Sequence, residues 1–236
     1  MTSASATQDH LLDNLFWHAL NGAQAHFAIG DGEARRFAPG FSPIVGFADA
    51  QQPRLDALLP YCAAGEQFYC DGWSGPPPQD WQIDAETFMR KMIWRAPMPA
   101  ADEAPEARRL TLDHLTQILD LVALTRPGPF GPRTIELGEY FGVFDAPSGR
   151  LMAMAGERCA AGNLREISGV CTHPDFQGHG LARRLMRKLI RRQLQRGETP
   201  VLHVMSANES AHRLYLAMGF ADHRESVVRV ISRLPT

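Results

Sequence analysis

The sequence predicts an α/β fold built on a mixed sheet. Three observations carry that prediction. From Arg108 onward, segments patterned as strands and helices follow in the order β, α, α, β, β, β, α, β, α, β, which puts helices on the faces of a sheet. One strand, Leu164–His173, runs through a glycine-bearing turn directly into a helix. Clusters of Gly and Pro separate the remaining segments.

The chain has 236 residues, enough for one large domain or two small ones. It is 44% hydrophobic and 21% charged, as in an ordinary soluble globular protein. A formal net charge of -2 argues against nucleic acid or an anionic membrane as a partner. No apolar run approaches the roughly 20 residues that span a bilayer. Met1–His10 is polar, without the basic start and apolar core of a secretion signal. Four cysteines form no Cys-x-x-Cys pair and are expected to be reduced packing residues in a cytoplasmic protein. The nine histidines show no metal-ligand spacing, so no metal is expected.

The elements follow from local pattern. Leu11, Leu12, Leu15, Phe16 and Ala19 recur at helical spacing, after a loose end. Short strands are expected at Ala25–Ile29, Arg35–Ala38 and Ile44–Ala48, a brief helix at Gln51–Leu59, and strands at Glu66–Cys70 and Thr87–Trp94. Ala96–Pro105 holds three prolines among alanines and acids and reads as a linker. The expected organisation is therefore an N-terminal α/β region over 1–95, a linker over 96–105 and a second domain over 106–236. The first region carries no chemical motif. A helper shaping one wall of a substrate cleft, a cover for a sheet edge and a worn-down second copy of the same unit all remain open for it.

After the linker, Arg108–Leu110 reads as a strand and Leu112–Thr125 as a helix capped by Thr111. Arg126–Arg133 is a Pro/Gly loop, followed by a short helix at Thr134–Gly138. Tyr140–Phe144 and Leu151–Arg158 form a hairpin around Pro147-Ser148-Gly149. Helix Leu181–Arg196 stops before Gly197, strand Pro200–Ser206 follows, and helix Glu209–Met218 ends at Gly219. Phe220–Arg233 holds one or two final strands.

The organising stretch is Glu166–Ala182. Ile167, Val170 and Thr172 are β-branched, Pro174 stops the strand, and Gln177-Gly178-His179-Gly180 leads into a helix at Leu181. A turn whose N–H groups point outward at a helix N-terminus suits phosphate; the bland alternative is a plain strand–helix turn. The spacing fits neither the dinucleotide fingerprint, because Arg183 occupies its third glycine position, nor the nucleoside-triphosphate loop, because the Gly-Lys-Ser/Thr ending is absent. What it does fit is Gln177-x-x-Gly180-x-Ala182 after a Val-x-Thr-x-Pro strand end. This resembles the acetyl-CoA pyrophosphate loop of the GNAT acetyltransferase superfamily. Asn208-x-x-Ala211-x-x-Leu214-Tyr215-x-x-x-Gly219-Phe220 is similar to a second segment of that family, and the element order matches its fold over about residues 108–236.

The resemblance implies an acetyl-CoA-dependent N-acetyltransferase with direct transfer to an amine, and a GNAT fold carrying the N-terminal region as an addition. It implies that Gln177, Gly178, His179, Gly180, Leu181, Ala182 and Arg183 hold the pyrophosphate. It places the pantetheine arm along the backbone of Val170, Cys171 and Thr172, with Asn208 and Ser210 beside it. Tyr215, two helical turns from Asn208, would protonate the departing thiolate, since a phenol near pKa 10 carries a proton to give. Cys171 as a covalent nucleophile is disfavoured, because a lone strand cysteine is usually a packing residue.

Glu166 is the candidate base. It precedes Val170 by four residues, so an unbroken strand puts both on one face. The alternative for Glu166 is a salt bridge to Arg165 or Arg158, and His203 and His173 are weaker rivals for the base. Arg183, Arg184, Arg187, Lys188, Arg191, Arg192 and Arg196 line one helix without acids, most simply as the solvated side of a helix whose Leu stripe faces the core. The expected partners are acetyl-CoA and an amine acceptor, in a monomer or homodimer. An acyl-CoA-binding regulatory module without catalysis is the rival function.

Overall fold

The computed structural model describes residues 8–235; of the loose end expected over 1–13, residues 1–7 lie outside the described residues and Asp9–Asn14 form a 3-10 turn. After this turn, the chain forms α1 (Leu15–Leu20), β1 (Ala28–Gly30), β2 (Ala34–Phe37), β3 (Val45–Phe47), α2 (Leu55–Leu58), β4 (Gln67–Asp71) and β5 (Trp81–Trp94). Then come β6 (Arg108–Arg109), α3 (Leu115–Thr125), β7 (Tyr140–Phe144), β8 (Leu151–Ala161) and β9 (Leu164–Thr172). The chain ends with α4 (Leu181–Gln195), β10 (Thr199–Met205), α5 (Glu209–Met218) and β11 (Phe220–Arg233). The spans expected for β7 and α5 match residue for residue. The last strand is one element of 14 residues, kept continuous by two register shifts.

Two sheets result. β1, β2 and β3 form a small antiparallel sheet. The main sheet has eight strands in the order β4-β11-β5-β10-β9-β8-β7-β6. Within it β9 and β10 run parallel and the other neighbours antiparallel. Leu181, Leu185, Met186, Leu189 and Ile190 of α4, with Met218 of α5, pack on one face against Phe141, Val143, Ile167 and Leu202. On the opposite face Ile118 and Leu121 of α3 meet Met154 and Cys171, and Leu15, Phe16 and Ala19 of α1 meet Ile93, Leu164 and Val201. The periodic apolar positions thus determine which helix covers which side.

The expected division at 96–105 does not fall at a break in the sheet. β5, from the N-terminal side, lies between β10 and β11, with Met89 opposite Met205 and Trp94 opposite Phe220. Met92, Ile93 and Trp94 are buried there, so the main core needs that strand to close. The proline-bearing segment is no free linker. Ala104 is buried; Lys188 of α4 reaches Asp102 at 2.5 Å, and Arg191 donates to the Pro99 carbonyl at 2.6 Å. Arg184 and Arg187 pair with Glu106 and Glu103, and Arg192 and Arg196 with Glu139. The basic side of α4, expected to be simply solvated, is therefore largely neutralised by acids that are distant in sequence, with Lys188 buried among them.

Candidate active site

β9 and β10 pair only from Leu164 with Thr199 to Ile167 with Leu202. Past that point β9 stays with β8, and β10 stays with β5, so a gap opens between them. The divergence starts at a bulge. Ser168 faces Gly156 and Cys171 faces Met154, so β9 advances three residues while β8 advances two. Gly169 sits in the bulge at φ 62, and a Cβ there would lie 3.1 Å from the Tyr140 ring, so a side chain would be strained and would crowd that ring.

The bulge reverses which residues share a face. Ile167 and Val170, three apart, both pack on the α4 side, and Cys171 packs on the α3 side. The expectation that Glu166 shares the face of Val170 is therefore wrong: strict alternation fails across the extra residue. Cys171 is turned toward α3, and burial pushes its thiol up to about 11. That supports a packing role for this side chain.

Glu166 is fully buried. Its carboxylate takes two hydrogen bonds from Arg158, at 2.6 and 3.0 Å, and lies 2.7 Å from Nδ1 of His203. Burial alone would push the carboxyl up, but the Arg158 guanidinium and the His203 imidazole outweigh it and hold it well below the usual range. Such a group is a poor proton acceptor. The expected base is instead the inner member of a buried pair, and its bland alternative, the salt bridge to Arg158, is what the structure contains. His203, ranked lower from sequence, has its side chain only 5% exposed, and its Nε2 is buried without a protein hydrogen-bond partner. A carboxylate accepts only, so Nδ1 carries the hydrogen toward Glu166, and in the neutral ring Nε2 presents its lone pair.

A cleft of about 470 Å³ runs through the gap. Its walls include Ser168, Gly169 and Val170 of β9, His203 of β10, and Asn208 and Tyr215 of α5. Tyr215 packs against the α4-side core and His203 lies on the α1 side, 5.3 Å between ring centroids from Phe16. The gap thus carries a phenol toward one face of the sheet and an imidazole toward the other. Burial pushes the Tyr215 hydroxyl up to about 12, which keeps it protonated across the neutral range. Asn208 caps α5, its Oδ1 accepting from the Ala211 N–H at 3.1 Å. Ser210 stands exposed on the first turn of α5 and borders neither this cleft nor the loop below.

Beside the cleft the loop before α4 forms a second, open depression. Thr172, Phe176, the run from Gln177 to Arg183, and Leu214 of α5 line it. Gly178 and Gly180 adopt φ 81 and φ 70, and a Cβ at either would meet nothing within 4 Å. No side chain caps the first turn of α4. Its N–H groups and dipole therefore face an unobstructed space, as a bound diphosphate requires. Among the described residues no cluster of His, Cys, Asp or Glu could hold a metal, and no helix is long and apolar enough to cross a membrane.

Comparison with known proteins agrees with this geometry. A family model described as FR47-like protein matches residues 140–230. The crystal structure of a GNAT-family protein from Novosphingobium aromaticivorans DSM 12444, an acetyltransferase candidate, superposes with a TM-score of 0.86 at 33% identity, covering 96% of this chain and all of that one. A GCN5-related N-acetyltransferase-like protein from Streptococcus suis (TM-score 0.57, 15% identity, 97% of this chain and 99% of that one) shares the fold. So does a GNAT-family acetyltransferase from Colwellia psychrerythraea (0.53, 14%, 99% and 98%). Comparison with curated proteins finds no match. The chain belongs to the GNAT family, and its mixed α/β sheet is the GNAT fold. Relatives of that family support acetyl transfer as the general chemistry.

Sequence reasoning missed the residues that the N-terminal side brings to the cleft: Phe16, Tyr69 and Met89. Each reads locally as an ordinary core or strand residue. Only the insertion of β5, and of α1 and β4 beside it, carries them there.

Proposed function

We propose that the protein is an acetyl-CoA-dependent N-acetyltransferase that moves the acetyl group directly to an amine. The observation that carries this reading is the gap between β9 and β10. It leads from an open helix N-terminus to a protonated phenol on one side and an unpartnered imidazole nitrogen on the other. Gln177–Ala182 would bind the diphosphate through backbone N–H groups, with Arg183 adding charge at the rim. The unpaired edge of β9 at Val170–Thr172 would receive the pantetheine arm, with Asn208 alongside. Backbone donors at a splayed edge suit the charge that develops on a thioester oxygen.

The amine lone pair attacks the thioester carbon, the C–N bond forms and the C–S bond breaks. His203 Nε2 takes the proton that the amine loses. Tyr215 gives its proton to the leaving sulfur. Glu166 acts as a positioning residue, holding the Nδ1–H of His203 so that Nε2 faces the amine. The four free, buried cysteines fit a reducing compartment, the cytoplasm.

Calorimetric titration with acetyl-CoA, combined with release of free thiol over a broad amine panel, tests the reading. Binding and turnover are expected. Gly180→Glu places a charged side chain in the diphosphate space and at a positive φ, and it is expected to abolish binding. Binding by wild type without turnover on any amine would favour the regulatory module. No heat at all would sink the assignment.

A further inference from the structure

The acceptor end of the cleft has a chemical character of its own. On the α1 side its walls are Phe16 of α1, Tyr69 of β4, Met89 of β5 and Val228 of β11, gathered around His203. These are apolar or aromatic. No aspartate or glutamate lines the cleft. The carboxylate of Glu166 lies behind His203 and is occupied by Arg158. A second ammonium group entering this space would find no counter-charge and would lose its hydration.

One charged side chain at the cleft is unoccupied. Arg126 borders it beside Thr125 and Pro127 and makes no ion pair among the described residues. Its backbone is also unusual. Arg126 ends α3 in the left-handed conformation, φ 48 and ψ 59, the one non-glycine residue at positive φ among those described. Glycine would occupy that position without strain, as Gly128 does at φ 118 two residues on. Non-glycine residues held in such conformations cluster at ligand clamps and active sites.

We infer that the acceptor is a small amine bearing a carboxylate and an apolar side chain, that is, an apolar α-amino acid. This rests on the acetyl-transfer reading and narrows it. The Arg126 guanidinium meets the carboxylate in a charge-assisted pair, and the side chain lies on Phe16, Tyr69, Met89 and Val228. The amino group stands at His203 Nε2. The acetyl carbon changes its bond from sulfur to this nitrogen, giving an N-acetyl amino acid and free CoA. Polyamines are excluded by the lack of any acidic residue on the walls.

The test uses the full-length protein, acetyl-CoA, and a thiol readout. The acceptors are L-phenylalanine, L-leucine and L-methionine, their amides, and spermidine. The free acids are expected to exceed their amides by roughly ten- to a hundredfold in kcat/KM, the range of one hydrogen bond to a charged group. In Arg126→Ala that preference is expected to collapse toward unity through a raised KM for the acids. Arg126 is exposed, so the variant is expected to fold, and circular dichroism checks this. Spermidine or the amides used as well as the acids would overturn the inference. So would an acid preference that survives Arg126→Ala, or a protein that binds acetyl-CoA and acetylates no amino acid. Absence of acetyl-CoA binding is a separate result, which removes the transferase reading itself.

Discussion

At the residue scale the site depends on how burial divides the work between two titratable groups. Tyr215 has no neighbouring charge to stabilise a phenolate, and burial raises its pKa to about 12. It therefore stays protonated across the neutral range, as a proton donor must. Tyr215→Phe is expected to lower kcat by about ten- to a hundredfold at neutral pH while leaving acetyl-CoA affinity near wild type, measured by steady-state kinetics and calorimetry. The loss should shrink toward alkaline pH, where thiolate leaves without a proton. Glu166 behaves in the opposite way. Its folded-state carboxyl lies below the unfolded value of about 4.3, so the stability it contributes is complete above that value and drains away as pH falls below it. Glu166→Gln is expected to flatten this acid-side slope in a plot of Tm against pH. It also leaves Arg158 buried and uncompensated, at a cost of about 3–5 kcal/mol. A slope identical to wild type would show that the Arg158–Glu166 pair does not carry the acid sensitivity. Both outcomes turn on geometry that the sequence did not show. Glu166 and Arg158 are eight positions apart on neighbouring strands, and whether they meet depends on the register between β8 and β9.

At the element scale the decisive feature is one extra residue in β9. Its bulge at Gly169 ends the parallel ladder to β10 and turns Val170 toward α4. Sequence alternation located the strand to within a residue but assigned Glu166 and Val170 to one face, because a bulge leaves little mark beyond a glycine. Gly169→Val is expected to abolish acetyl transfer. It forces a β-branched residue to φ 62 and against Tyr140, so the protein should either lose its melting transition or re-pair the strand and close the gap. A stable, fully active Gly169→Val variant would show that the opening does not depend on the bulge. The helix after the loop was far easier to read. Its Leu stripe, its glycine boundaries and its basic side all lie within one segment.

At the scale of the whole molecule the N-terminal side is part of the main sheet and of the cleft walls. β5 completes the sheet between β10 and β11, β4 extends its edge, and α1 covers the face on which His203 lies. A truncated chain of residues 106–236 would expose the edges of β10 and β11 and leave Val201 and Phe220 without their cross-strand partners Ile93 and Trp94. It is expected to be insoluble or to lack a cooperative melting transition by circular dichroism. A well-folded fragment of that kind would restore the boundary first expected at 96–105. That boundary was suggested by composition, since prolines, alanines and acids usually mark a tether. Here the same acids are ion partners of α4.

The sequence by itself determined the local features: the strand–loop–helix that offers backbone donors, the capped helix that carries Tyr215, and the succession of elements that makes a mixed sheet. Each depends on residues within a few positions of one another, where periodicity, glycine and caps act directly. Tertiary structure alone decided what depends on register and on distant partners. It joined β5 to the sheet, buried Glu166 against Arg158, freed Nε2 of His203, and placed Phe16, Tyr69 and Arg126 around it. Those pairings depend on which strands become neighbours, and a residue's own flanking sequence does not encode who will stand beside it.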